Sequence, residues 1–277
     1  MTYIGCHVSI AGGIDKAPER ARELGCEVMQ IFTRSPQGGK ASDLTPDLVS
    51  RFKLKAKTYK LKATYIHTPY YINFASSDNR IRHGSISVVR SELERGSLIG
   101  AKYVMTHLGS AKELPPNEAM EKVIEGLKKI FDGYNGETQL LLENSAGAGG
   151  VIGSTFEEFG LILKSLHNYK SLVGICLDTQ HTYASGYDWD TDYKKTLSAL
   201  KTSIGIEKVK LIHANDSKVG FNEHKDRHEH IGKGKIGLQG FKNIVALAKK
   251  NKIDLILETE HPEVEEDVRI LKKFRGK

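Results

Sequence analysis

The sequence predicts an α/β fold built as a single (β/α)8 barrel, and three observations lead to this prediction. Eight short runs rich in Ile, Val, Leu and Tyr recur along the 277 residues, and segments with helical signals separate them. No Pro/Ser-rich linker or change of composition divides the chain. Barrels of this kind commonly reach about 250 residues as one unit. We therefore expect one domain that spans residues 1–277.

The predicted strands follow one another in order along the chain. They are Tyr3–Val8, Val28–Thr33, Thr64–His67, Lys102–His107, Gln139–Glu143, Leu172–Asp178, Val209–His213 and Leu255–Glu258. Between them, Thr45 before Pro46 predicts the start of a helix, because Thr is a good N-cap and Pro suits the first turn. Ser154 and Glu157 have the spacing of a capping box, and Phe241–Lys250 has the pattern of an amphipathic helix.

Composition and charge narrow the class of protein. With 39% apolar and 27% charged residues, collagen-like and largely disordered chains are excluded. The net charge of +7 is compatible with a polyanionic partner without establishing one. No run approaches the roughly 20 apolar residues of a membrane helix, and the N-terminus lacks a secretion signal, so we expect a cytoplasmic protein. Cys6, Cys26 and Cys176 form no CxxC pair and are expected to be buried, reduced thiols.

Six predicted strands end in a residue that can bind a metal ion. These residues are His67, His107, Glu143, Asp178, His213 and Glu258. Each of them alone could simply cap a helix, but in a closed barrel all six would meet at the carboxyl face, where barrel active sites lie. Burying so many ionisable groups together costs several kcal/mol per charge unless cations compensate. The pattern therefore predicts a metal centre.

Three further candidates follow the strand ends closely. His181 lies three residues after Asp178, and Asp226 and His228 are separated by one residue, so that both can face one ion from an extended loop. The nine candidates comprise five imidazoles and four carboxylates. This set favours zinc, with manganese or iron as the alternatives at one or more sites, and is too rich in nitrogen for magnesium or calcium. With one bridging carboxylate it suits three ions, and clustered ions are the usual means of phosphodiester hydrolysis.

These motifs resemble the endonuclease IV family, the zinc-dependent apurinic/apyrimidinic endonucleases of base-excision repair, and the resemblance runs from end to end. The motifs are GCHVSIAGG, HTPYYINFAS, THLGS, LLENSAGAGG, LDTQHTYASGYD, HANDSK, DRHEHIGKGKIG and LETE. The resemblance implies a TIM barrel of the xylose-isomerase-like kind and three metal sites. The implied ligands are His67, His107 and Glu143 for the first ion, Glu143, Asp178, His213 and Glu258 for the second, and His181, Asp226 and His228 for the third.

The resemblance also implies the reaction and its substrate. The family cuts double-stranded DNA 5′ to an abasic site, leaving a 3′-hydroxyl and a 5′-deoxyribose phosphate, and trims blocked 3′ ends. We expect a hydroxide that bridges the first two ions to attack the phosphorus in line, with Glu143 as the catalytic residue that orients it. The third ion would stabilise the departing 3′ oxygen. A monomer is the family's usual state.

Several residues are expected to contact DNA. Tyr70 and Tyr71 occupy the positions where the family inserts side chains into the base stack, and Gln37 stands where the family commonly has an arginine. Either Gln37 or Arg34 would then fill the gap that the extrahelical nucleotide leaves. The loop after the seventh strand offers cations to phosphates, namely Lys218, Arg227, Lys233 and Lys235. His7, close to the ligands but not one of them, is expected to hydrogen-bond within the centre.

Two other classes of protein remain open at this point. A single-metal sugar isomerase or epimerase of the xylose-isomerase-like class needs only Glu143, Asp178, His213 and Glu258. It leaves the other five candidate ligands and the cationic loop unexplained. A DNA-binding barrel without catalysis needs no ligand cluster at all. Metal content separates the three classes, because the nuclease requires three ions, the isomerase one and the binding protein none.

Overall fold

The computed structural model describes residues 1–276, and its eight barrel strands close into a parallel sheet. The barrel strands are β1 (Ile4–His7), β2 (Val28–Ile31), β3 (Thr64–His67), β4 (Tyr103–Thr106), β5 (Gln139–Glu143), β6 (Leu172–Asp178), β7 (Val209–His213) and β10 (Asp254–Leu257). Each pairs in parallel with its neighbours, and β1 closes the barrel against both β2 and β10. The predicted closed barrel is confirmed. Two short strands, β8 (Asp216–Ser217) and β9 (His228–Glu229), form a separate antiparallel ribbon.

Four strands are shorter at the carboxyl end than the sequence pattern predicted. The overextended predictions are Tyr3–Val8, Val28–Thr33, Lys102–His107 and Leu255–Glu258. Pairing stops where the chains diverge into their loops, so the last pairs join Cys6 to Leu257 and Thr106 to Leu142. As a result His107 and Glu258 lie just beyond their strands and not within them.

Helices follow most of the strands. They are α1 (Ala17–Glu23), α2 (Pro46–Thr58), α3 (Asn79–Ile99), α4 (Pro116–Phe131), α5 (Phe156–Ser165), α6 (Thr179–Ala184), α7 (Tyr193–Ser203), α8 (Gly237–Asn251) and α9 (Val264–Arg275), with 3-10 turns at Ile14–Lys16 and Ile206–Lys208. Thr45 caps α2 as predicted, with its hydroxyl accepting a hydrogen bond from the amide of Leu48. The amphipathic run Phe241–Lys250 lies within α8.

The predicted capping box at Ser154 and Glu157 is wrong by one residue. Thr155 is the N-cap of α5, and its hydroxyl accepts from the amide of Glu158 at 3.3 Å. The Glu158 carboxylate reaches back to the amide of Thr155 at 3.1 Å. Thr155 takes this role because its extended backbone immediately precedes the first helical residue, whereas Ser154 lies one residue too early.

The lower part of the barrel is packed with apolar side chains. Val28, Tyr65, Tyr103, Met105, Leu141, Cys176, Leu211 and Ile256 form this inner core. All three cysteines are free and buried, as predicted. Because the lower interior is filled, the polar side chains that point inward at the strand ends meet only at the carboxyl face. Across residues 1–276, no helix is both long enough and apolar enough to cross a membrane.

Candidate metal centre

The side chains at the carboxyl face form three groups with the spacing of metal sites. In each group the ligand atoms lie within 4.8 Å of one another. The groups are His67, His107 and Glu143; Glu143, Asp178, His213 and Glu258; and Asp178, His181 and His228. Glu143 belongs to two groups and Asp178 to two, so the three clusters are contiguous. The residues predicted from separate βα units are thus brought together.

Glu143, at the end of β5, lies at the centre of the cluster and is fully buried. Its Oε2 lies 2.9 Å from Nε2 of His67 and 3.7 Å from Nε2 of His107. Its Oε1 lies 2.7 Å from Nδ1 of His213. The Glu143 carboxylate therefore uses one oxygen to face the imidazoles of the first group and the other oxygen to face the imidazole of the second group. A bridging ligand requires this arrangement.

The imidazoles are oriented so that they can offer free lone pairs. His67 donates from Nδ1 to the carbonyl of Thr68 at 2.6 Å, and His181 donates from Nδ1 to the carbonyl of Asn144 at 2.9 Å. Both therefore turn Nε2 into the cluster, where Nε2 of His67 faces Glu143 and Nε2 of His181 faces Asp226. Within residues 1–276, the buried Nε2 atoms of His181 and His228 have no hydrogen-bond partner of good geometry, although the Asp226 carboxylate lies close to both. Buried polar atoms are rarely left unpaired, so these nitrogens fit a set of metal ligands.

Asp226 approaches the third group from an exposed loop. Its carboxylate lies 3.2 Å from Nε2 of His181 and 3.4 Å from Nε2 of His228, while its side chain is 59% exposed. Asp178, which is buried, lies 3.7 Å from Nε2 of His228. Two carboxylates thus reach the same pair of imidazoles, one from β6 and one from the loop before β9.

The charges of the cluster are strongly coupled. Burial opposes ionisation of Glu143, but His213, His107 and His67 hold the pKa of its carboxyl well below the usual range. Burial likewise opposes the charge on His181, yet Asp178, Asp226 and Glu143 raise its pKa to about 10. Glu143 is consequently ionised at neutral pH, and His181 retains its proton until a cation replaces it. Metal binding to this cluster must therefore release protons.

Sequence reasoning missed two buried amides that hold the ligands. Asn215 donates to Oδ2 of Asp178 at 2.6 Å, and its Oδ1 accepts from the amide of Glu258 at 2.8 Å. Gln30, on β2, donates to Glu258 at 2.6 Å and accepts from His213 at 2.7 Å. His7 contacts Gln30 at 3.0 Å. The sequence did contain a signal for Gln30, which is a polar residue between the apolar Met29 and Ile31. Because successive side chains of a strand point to opposite faces, Gln30 points into the barrel when its two neighbours point outward.

Comparison with known proteins identifies the family. The model of the xylose isomerase-like TIM barrel family matches residues 18–274. The chain is 37% identical to a probable endonuclease 4 of Cenarchaeum symbiosum, covering 99% of this chain and 98% of the relative. It is 39% identical to a probable endonuclease 4 of Nitrosopumilus maritimus, covering 98% of each. The crystal structure of endonuclease IV from Thermus thermophilus superposes with a TM-score of 0.86 at 34% identity, covering 99% of this chain and 97% of that one.

The chain belongs to the endonuclease IV family. The family and the metal-dependent endonuclease class predicted from the sequence are therefore confirmed. A D-tagatose 3-epimerase-like protein also superposes, with a TM-score of 0.74 at 22% identity over 99% of this chain and 97% of that one. That likeness extends to the fold alone.

In this endonuclease IV family member, the two predicted wedge tyrosines lie at the rim of the cluster. Tyr70 is 68% exposed and packs edge-on against Phe32, with ring centroids 5.4 Å apart, and Tyr71 is 40% exposed. Gln37 is exposed on the neighbouring loop. Arg34 is placed differently, because its guanidinium pairs with the buried Glu92 and is only 9% exposed. Of the two candidates for filling the gap in the duplex, the structure leaves Gln37 accessible.

The cations of the long loop differ in their surroundings. Lys218 and Arg227 line the cavity above the cluster, which has a volume of about 1010 Å³ and also includes Tyr70. Lys233 and Lys235 are exposed further along the loop, and Lys233 pairs with Glu263. The first pair therefore borders the cavity above the cluster, whereas Lys233 has a carboxylate partner that competes with a phosphate.

Proposed function

We propose that the protein hydrolyses double-stranded DNA on the 5′ side of abasic sites, leaving a 3′-hydroxyl and a 5′-deoxyribose phosphate, and that it also trims blocked 3′ ends. It would act as a monomer and as one domain spanning residues 1–277. The observation that carries the proposal is the convergence of the other eight candidate ligands around buried Glu143 in a member of the endonuclease IV family.

The proposed cofactor is a cluster of three zinc ions. The ligands would be His67, His107 and Glu143; Glu143, Asp178, His213 and Glu258; and His181, Asp226 and His228, with Asp178 adjacent to the third group. Five imidazoles with four carboxylates suit zinc, with manganese or iron as alternatives. When bound, such ions lower the pKa of a water, neutralise the phosphate and stabilise the leaving oxygen.

The protein's own groups would align the substrate. Glu143 is the proposed catalytic residue, since its two oxygens are fixed by imidazoles on either side and can orient the attacking oxygen. Tyr70 and Tyr71, whose rings are exposed, would act as wedges that hold an unstacked duplex open. Unstacking costs least where the base is already missing, which favours abasic sites over intact nucleotides. Lys218 and Arg227, at the cavity wall, would contact phosphates.

The test is a nicking assay with matched duplexes. One duplex carries a single stable abasic analogue and the other is undamaged, and each is offered to the zinc-loaded protein with and without a chelator. We expect a single nick 5′ to the analogue, abolished by the chelator, and no cleavage of the control. A protein that holds three ions and leaves the abasic duplex intact would refute the proposal. Epimerisation of a ketose by a protein with one ion would instead support the isomerase alternative.

A further inference from the structure

A buried glutamine joins two of the proposed metal ligands. Gln30 lies on β2 and is completely buried at the top of the barrel. Its Oε1 lies 2.7 Å from Nε2 of His213, and its Nε2 lies 2.6 Å from Oε1 of Glu258 and 3.0 Å from Nδ1 of His7. Every polar atom of this side chain therefore faces a partner, and two of the partners belong to one proposed metal site.

The direction of the Gln30 amide follows from its neighbours. An ionised carboxylate can only accept hydrogen bonds, so the NH₂ group must face Glu258. The amide oxygen then faces His213, and it can only accept, so Nε2 of His213 must carry a hydrogen. The other ring nitrogen, Nδ1, points towards Glu143 at 2.7 Å and towards Oε2 of Glu258 at 3.2 Å. Gln30 thus presents Nδ1 of His213 to the cluster.

In two other candidate ligands, a backbone carbonyl fixes the tautomer of the imidazole. His67 and His181 donate to the carbonyls of Thr68 and Asn144, whereas the acceptor of His213 is a side chain from a distant strand. We propose that Gln30 is a positioning residue that holds the tautomer and ring orientation of His213 and the carboxylate of Glu258 for metal binding. This inference rests on the metal centre of the proposed function. Partners of this kind typically change metal affinity by about 10- to 100-fold.

The test compares Gln30→Met, which keeps the length of the side chain and removes its hydrogen bonds, with Gln139→Met. Gln139 begins β5 at the opposite end of the barrel, where its side-chain amide donates to the carbonyl of Lys170 at 3.3 Å. Zinc affinity is measured by competition with a chromophoric chelator, and zinc content by elemental analysis. We expect Gln30→Met to lose one of its ions at a chelator concentration about 10- to 100-fold lower. Gln139→Met should match the wild type, and equal affinities in all three proteins would overturn the inference.

Two spectroscopic readouts separate positioning from mere packing. In the cobalt-loaded protein, Gln30→Met should alter the visible absorption of one site, while Gln139→Met leaves the spectrum unchanged. In the zinc-loaded wild type, ¹⁵N-edited NMR should place the hydrogen of His213 on Nε2. A hydrogen on Nδ1 would overturn the inference even if Gln30→Met did not fold. A wild type that binds three ions but does not nick abasic DNA would refute the proposed function and leave the role of Gln30 intact.

Discussion

The loop that carries Asp226 and His228 depends on one buried carboxylate, that of Asp216. Its two oxygens accept backbone N–H groups from Ser217 at 2.8 Å, Gly232 at 2.9 Å, Gly234 at 3.2 Å, Ile236 at 2.9 Å and Gly237 at 3.3 Å. A Cβ on Gly234 would lie 2.5 Å from Oδ1 of Asp216, so this approach requires glycine. Asp216–Ser217 also pairs with His228–Glu229.

Asp216→Asn should therefore destabilise the protein and empty one metal site. The variant keeps one acceptor oxygen, which can retain the amide of Gly237 at 3.4 Å, while its NH₂ group faces the amides of Gly232 and Gly234 that Oδ2 accepted. Each hydrogen bond to a charged group contributes roughly 1.5–3 kcal/mol, so the loss of two predicts a decrease of about 3–6 kcal/mol in the free energy of unfolding. Because His228 is held by the same ribbon, the ion of the third group should be lost first.

The assay is denaturant unfolding in excess chelator, so that metal binding does not contribute, followed by zinc analysis of the reloaded protein. Asp188→Asn is the matched control, because Asp188 accepts one backbone amide, that of Asp190 at 2.7 Å, in a half-buried turn. It should cost about 1 kcal/mol or less. If Asp216→Asn unfolds within about 1 kcal/mol of the wild type, the carboxylate does not hold the loop.

Four other predictions concern the cluster and its rim. Glu143→Gln should bind abasic duplex but nick it at least about 100-fold more slowly, and near-normal turnover would contradict its role. Tyr70→Ala should weaken binding to abasic duplex by about 1–3 kcal/mol in a titration, since a stacking surface is lost, and unchanged affinity would exclude a wedge. Replacing Lys233 and Lys235 by Ala should reduce the slope of log affinity against log salt by up to about 2, because fewer counterions are released, and an unchanged slope would exclude phosphate contacts. Burial lowers the pKa of His7 to about 4, below the ordinary 6.5 of an unfolded histidine, so the stability it contributes is present above pH 6.5 and lost as the pH falls towards 4. In excess chelator, the free energy of unfolding should therefore fall less between pH 6.5 and pH 4 in His7→Asn than in the wild type, by at most about 3 kcal/mol. The same pH dependence in both proteins would refute the lowered pKa of His7.

The sequence by itself determined the barrel and the set of candidate ligands. The reason is periodicity, because each βα unit returns the chain to the same face, and residues such as His67, Glu143 and Asp178 stand at equivalent points of successive units. Local pattern therefore places the carboxyl end of a strand to within one or two residues, and the convergence of strand ends follows from closure of the sheet. The N-cap at Thr45 could likewise be predicted from neighbouring residues alone, because Thr45 directly precedes Pro46.

Only the tertiary structure decided how the ligands are held and which rim residues are accessible. The contact of Gln30 with Glu258 joins residues 228 positions apart, and the ion pair of Arg34 with the buried Glu92 joins residues 58 positions apart. Asp178 stands beside His228 only because β6 and the ribbon are brought together in space. Such partners are set by the relative positions of side chains from different units, and the local pattern of residues carries no record of those positions.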